Sequence, residues 1–235
     1  MGYFGFLYYY NWSYIIFMLP CIIFTLIIQL VMTSTFRKYG AIRNSRGLTG
    51  REAAERVLFE NGVTGVKIER VAGNLTDHFD PRTNVIRLSD SVYNSNSIAA
   101  VGVACHEAGH AVQHAQNYLP NKIRSAILPA ANIGSKLSWL FIVMGLIAST
   151  LEIFLYVGIV LFSFSVLFTI ATLPVEFNAS GRALSCIKKA GMLSESEYGG
   201  AKKCLSAAAM TYVAAAATAV LQLLRLLAIA NSRRK

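Results

Sequence analysis

The charges of this chain are segregated, and that limits its fold more than any other feature. Residues 1–36 contain no Asp, Glu, Lys or Arg, and residues 137–181 contain only Glu152 and Glu176. Soluble domains carry about 25% charged residues; here 14% are charged and 54% are hydrophobic. Disorder and a single soluble globule are both excluded by that balance. The pattern is that of a mainly α, multi-pass membrane protein with one modest water-facing domain.

The net charge of +10 raises the question of nucleic acid. The basic residues, however, flank the apolar segments: residues 37–136 hold 13 Lys and Arg against 8 acids, and residues 182–235 hold 9 against 2. Cytoplasm-facing loops beside anionic lipid have this bias. No nucleic-acid motif accompanies the charge, so the expected partner is the lipid bilayer and no nucleic acid is expected. The four cysteines form no CxxC pair and read as small buried hydrophobes.

The apolar run from Trp12 to Met32 is long enough to cross ~30 Å of hydrocarbon as a helix. It lacks the positive leader and short apolar core of a signal peptide, so residues 1–36 read as a retained anchor. Arg37 and Lys38 follow it and place the next segment on the inside.

Residues 37–136 form the predicted water-facing domain, α+β in character. Thr49-Gly50-Arg51-Glu52 is a capping box before helical apolar spacing, and Asn61-Gly62 ends that helix. Val63–Val71 and Asn84–Leu88 read as short strands, the second after an Asp80-Pro81 turn. A helix is predicted from near Asn96 or Ser97 to about Asn117, ended by Pro120, then a short helix over Ile123–Ile133 broken or kinked at Pro129.

Residues 137–173 are too long for one span and fit a tight hairpin with Glu152 near its outer tip. Residues 174–204 are expected to carry an irregular Pro174–Ser180 stretch, then a short helix to Lys189 closed by Gly191. Ser194-Glu195-Ser196-Glu197 opens an Ala-rich helix in 205–235. A fourth span and a helix packed on the water-facing domain both fit that last segment.

The chemistry lies in His106-Glu107-Ala108-Gly109-His110. An H-E-x-x-H spacing sets two imidazoles on one helix face, one turn apart, where both can hold a single Zn²⁺. Glu107 is then placed as general base for a water at the open metal position. The flanking Ala99–Ala104 and Ala108–Val112 are small and apolar, so this helix should be buried. Two imidazoles and a carboxylate buried without partners would be costly.

A tetrahedral site needs a third ligand. His114 extends the series, but on a straight helix it lies about 12 Å from His106, and no glycine break follows His110. It reads instead as a surface or supporting residue. Glu176 is the better candidate, because an acid where an apolar span re-emerges is expensive without a cation. An interfacial Glu176 paired with Arg182 remains the alternative. His78 and Arg182 are candidate oxyanion donors, and His78 equally fits a turn. The strand Asn84–Leu88 is a candidate edge for an extended peptide.

Four stretches carry a family resemblance: Leu75-Thr76-Asp77-His78-Phe79-Asp80-Pro81, Arg87-Leu88-Ser89, His106 to Gln113, and Leu173-Pro174-Val175-Glu176-Phe177. They resemble the neutral zinc metallopeptidases of the bacterial YugP type over nearly the whole chain. The order of parts is also similar to a shortened HtpX or CAAX-prenyl membrane protease. In those proteins a Glu beyond a membrane hairpin completes the site, and that analogy carries the ligand role onto Glu176. The gluzincin pattern has Asp four residues after that Glu; here the position is Ser180, with Asn178 nearby, so the support of the histidines must be built differently.

The resemblance implies peptide hydrolysis by a zincin-like domain with one zinc per chain, held by His106, His110 and Glu176. The expected location is the bacterial cytoplasmic membrane with the active site on its cytoplasmic face, and the expected substrate a membrane-associated protein or peptide. An intramembrane site-2-type protease and an inactive, metal-binding membrane scaffold are the alternatives.

Overall fold

A computed structural model of the chain describes residues 3–147 and 151–233, with side chains described at Trp12 and from Tyr14 onward. The element order is α1 (Tyr3–Gly40), α2 (Gly50–Glu60), β1 (Lys67–Val71), β2 (His78–Asp80), β3 (Val85–Ser89), α3 (Asp90–Tyr93), α4 (Ile98–Ala115), α5 (Leu119–Ile147), α6 (Glu152–Lys189) and α7 (Glu195–Arg233). The architecture is mainly helical with one three-stranded sheet. Among the described residues, four helices are long and apolar enough to cross a membrane: α1, α5, α6 and α7.

The chain divides into two compact units. The first comprises residues 1–28, 122–173 and 211–235; the second comprises 29–121 and 174–210. The first contains the longest apolar stretches of α1, α5, α6 and α7. Its own buried cluster is small, built around Leu155, Ile159, Leu226 and Ala230. Many of its large side chains face outward, Trp139, Ile147 and Ile153 among them. A soluble surface does not expose so many large apolar groups together, whereas hydrocarbon accepts them. Within this unit α5 and α6 touch through backbone: a Cβ added at Gly134 or Gly145 would collide with Leu161 or Leu155. Small residues of this kind let apolar helices approach where lipid offers no hydrophobic drive between them.

The second unit holds the main core, formed by α2, β3, α4 and the last turns of α6. Ala53, Val57, Ile86, Leu88, Val101, Ala104, Val112, Ala183 and Ile187 are all buried there. Helix α2 begins with the expected box: the Thr49 side chain accepts from the Glu52 backbone, and Glu52 Oε2 accepts from the Thr49 backbone at 2.8 Å. It closes at Asn61-Gly62 as anticipated, Gly62 taking a positive φ. Glu197 likewise reaches back to the Ser194 backbone N–H at 2.8 Å, which opens α7 at the second box.

The sheet order is β1-β3-β2, with β1 parallel and β2 antiparallel to β3. Two corrections follow. The Thr76–Asp80 region supplies a strand rather than only a turn, pairing His78 with Arg87. The strand Asn84–Leu88, realised as Val85–Ser89, is central and paired on both sides, so it offers no edge to a peptide.

The prolines behave differently from the sequence reading. Helix α4 ends before Pro120 because Asn117 adopts φ +55°, with Tyr118 N–H donating to the Gln113 carbonyl and Asn117 N–H to that of His114. That left-handed closure satisfies the last carbonyls without proline. Pro120 instead sits in the first turn of α5, where its missing N–H costs nothing. The predicted short helix Ile123–Ile133 is part of one continuous α5 that runs through Pro129. Likewise α6 is unbroken through Pro174, so Pro174–Ser180 is helical rather than irregular, and the helix closes at Gly191 with φ +57°. Proline inside apolar helices is tolerated where neighbouring groups take up the freed carbonyl. Beyond Pro174, and independently of the carbonyl that proline frees, Gln113 of α4 donates to the Val175 carbonyl.

Candidate metal centre

Helix α4 carries the site, and its start is well determined. Ser97 Oγ accepts from the Ala100 N–H at 3.1 Å, an N-cap before an apolar run. Asn44 anchors the segment ahead of that cap: its backbone N–H and its side-chain amide both donate to the Asn96 carbonyl. Most of α4 is buried, including Glu107 and the fully buried Gln113. Gly109 is essential to the packing. A Cβ there would lie 2.8 Å from the Ala179 carbonyl oxygen of α6. The two backbones are therefore in contact beside the histidines.

That contact brings Glu176 to the histidines. Its Oε2 lies 3.3 Å from His106 Nε2 and 3.6 Å from His110 Nε2, while the two Nε2 atoms are 3.1 Å apart. The imidazole planes stand nearly perpendicular, at 86°. Glu176 is 4% exposed and both histidines are half-buried. Glu107, on the same helix, is 9% exposed.

These distances permit a test of whether the residues fit zinc. Ligand atoms at ~2.0–2.1 Å from a tetrahedral centre lie about 3.3 Å from one another. The observed triangle of 3.1, 3.3 and 3.6 Å is one face of such a tetrahedron. The donor set, two imidazoles and a carboxylate, is that of catalytic zinc sites with an open fourth position. The residues fit the metal.

Each histidine is held at its other nitrogen. Ser180 Oγ is 3.1 Å from His106 Nδ1, and Gln113 Oε1 is 3.1 Å from His110 Nδ1. Metal-ligating histidines usually engage their second nitrogen in this way. Burial disfavours charge on His110, but the contact with Glu176 and the charges of Glu107 and Glu176 outweigh it. Its pKa is raised above the ordinary imidazole value.

The remaining candidates lie elsewhere. His114 is exposed, its ring 5.8 Å from Phe79, and it does not join the three-residue group. His78 is exposed in β2 with Nδ1 2.8 Å from the Thr76 carbonyl. Arg182 engages other groups: Nε donates to Asn178 Oδ1 at 2.7 Å and Nη1 to Gln116 Oε1 at 2.6 Å. Sequence reasoning missed Gln113. Its signal was a polar side chain three residues beyond His110, on the helix face of the two histidines. A cavity of about 660 Å³ between α2 and β1 is lined by Phe59, Val66 and Ile68 and contains none of the three ligand candidates. A smaller one, about 470 Å³, is bordered by Asn178 and Arg182.

A group that could hold a metal, with His106 and His110 of an H-E-x-x-H sequence on α4 and Glu176 on α6, is the arrangement expected of zinc metallopeptidases. The chain belongs to the family described as "Putative neutral zinc metallopeptidase", which matches residues 14–231. It is 45% identical over 201 residues to a Bacillus subtilis (strain 168) protein described as "Putative membrane protease YugP", covering 86% of this chain and 89% of that protein. No solved structure matches the chain.

Proposed function

We propose that this protein is a membrane zinc endopeptidase whose metal is held by His106, His110 and Glu176, one ion per chain. The convergence of these three side chains at tetrahedral spacing carries the reading. Zinc bound there supplies Lewis acidity that makes water nucleophilic near neutral pH. Glu107 is the general base: its carboxylate takes the proton from the attacking water and delivers it to the departing amide nitrogen. Ser180 and Gln113 keep both imidazoles turned toward the metal position.

The zincin-like part is assigned to the compact unit of residues 29–121 and 174–210, which takes in most of the expected 37–136 and 174–204 segments, and the 1–36 anchor, the 137–173 hairpin and 205–235 are assigned to the membrane. Lys188 and Lys189 at the end of α6, with Arg37 and Lys38 in the last turn of α1, favour the cytoplasmic face of a bacterial membrane for the site. The substrate class is protein or peptide associated with that membrane. Helix α4 is not one of the four helices apolar and long enough to span, which favours this reading over an intramembrane site.

The deciding measurement is hydrolysis of a peptide mixture by detergent-purified protein, with zinc content determined in parallel. Stoichiometric zinc and chelator-sensitive cleavage support the proposal. Zinc without any cleavage makes the protein a metal-binding scaffold instead.

A further inference from the structure

Three potential ligand atoms, His106 Nε2, His110 Nε2 and Glu176 Oε2, face one another at the candidate centre, and any metal there requires each histidine to present a bare Nε2. What dictates that state can be followed bond by bond. Gln113 Nε2 donates to the Val175 backbone carbonyl at 2.8 Å and to Asn178 Oδ1 at 3.0 Å. A backbone carbonyl only accepts, so the Gln113 amide has one allowed orientation. Asn178 Oδ1 also receives Arg182 Nε at 2.7 Å, and a guanidinium only donates. Both ends of the chain of bonds are therefore unambiguous. Gln113 Oε1 is left facing His110 Nδ1, which must carry the hydrogen, so that in the neutral ring Nε2 is the nitrogen with the free lone pair. Ser180 imposes nothing comparable on His106, because a hydroxyl donates or accepts.

Gln113 also links the helices. Its two acceptors, Val175 and Asn178, bracket Glu176 on α6, while Gln113 itself belongs to α4. Arg182 Nη1 returns to Gln116 at the end of α4, closing a ring of polar contacts between the two helices. Gln113 is 0% exposed, so each of these bonds would be costly to leave unmade.

We propose that Gln113 is the positioning residue of this centre: it imposes the metal-binding tautomer on His110 and sets the α4–α6 register that delivers Glu176, with its own orientation imposed by Val175 and by the Arg182-held Asn178. The support offered to His110 is a neutral amide rather than a carboxylate. The inference rests on the metal reading of the preceding subsection.

The test is zinc affinity of the detergent-purified full chain, by competition with a chelator, together with the visible absorption spectrum of the Co²⁺-substituted protein. Helix content and melting of the metal-free variants control for folding. Gln113→Leu removes the acceptor, and the affinity should fall by about ten- to a hundredfold, the usual effect of losing such a support. Gln113→Glu has the same shape but faces two acceptors with an oxygen, and should fall as far, with a shifted Co²⁺ spectrum. Asn178→Asp keeps the required acceptor and should match wild type, whereas Asn178→Leu should not. Wild-type affinity and an unchanged spectrum in Gln113→Glu would overturn the inference, since bulk alone would then suffice. Should Gln113→Glu not fold, the Asn178 pair decides: equal affinities for Asp and Leu also overturn it. Wild-type protein that takes up no zinc defeats the metal reading itself; wild-type uptake with all variants alike defeats only this inference.

Discussion

Gly109 of α4 and the Ala179 carbonyl of α6 are so close that an added Cβ would stand 2.8 Å from that oxygen. One residue later on α4 is His110, and three residues earlier on α6 is Glu176. The closeness of the two backbones is therefore a condition for the metal triangle. Gly109→Ala should separate the helices and cost about 1–3 kcal/mol, as overpacking does. Its melting temperature and its zinc content should fall together. A variant that loses neither would show that the contact is not needed.

Glu107→Gln should keep the metal and lose the reaction. The substitution preserves size and burial but removes the proton acceptor. The expected decrease in hydrolysis is about 10²–10⁴-fold, with zinc content unchanged. Retained hydrolysis would defeat the assignment of the base.

Glu176→Ala should remove zinc from the purified protein, whereas His114→Ala should leave it in place. Elemental analysis of the two variants beside wild type separates the possible third ligands. Zinc lost with His114→Ala alone would contradict the position of His114 against Phe79.

Zinc loading should be proton-coupled. In the metal-free protein the His110 pKa is raised above 6.5, opposed by burial but driven by Glu176 and Glu107. The stability from that charged ring is fully present below about 6.5 and is lost as pH rises through the folded-state value. Zinc requires the neutral ring, so its stabilisation grows across the same window. Melting temperatures with and without zinc should therefore diverge as pH rises. A constant gap across that range would contradict the coupling.

Much of the local structure was legible in the sequence. The Thr49–Glu52 box, the Asn61-Gly62 stop, the Ser97 start of α4 and the Gly191 closure depend on neighbours within a few residues. So did the pairing of His106 with His110, because one helical turn separates them. The prolines depart from local expectation for the converse reason. A residue's tendency to break a helix is local, but Pro129 and Pro174 lie in long apolar helices whose stability comes largely from their surroundings. The three-residue strand β2 was equally invisible, since its ladder bonds are all to β3.

Reading along the chain is enough for the segregation of apolar and charged segments, the helix that carries His106, Glu107 and His110, and the short list of candidate third ligands. Those properties follow from hydropathy, helical periodicity and residue chemistry, all readable along the chain. It took the packing of distant segments to bring Glu176 to both imidazoles, to leave His114 against Phe79 and to set Gln113 beside His110. Glu176 is 66 residues from His110 in the chain. Its position depends on how closely α4 and α6 approach at Gly109 and Ala179, a distance set by packing rather than by any local preference.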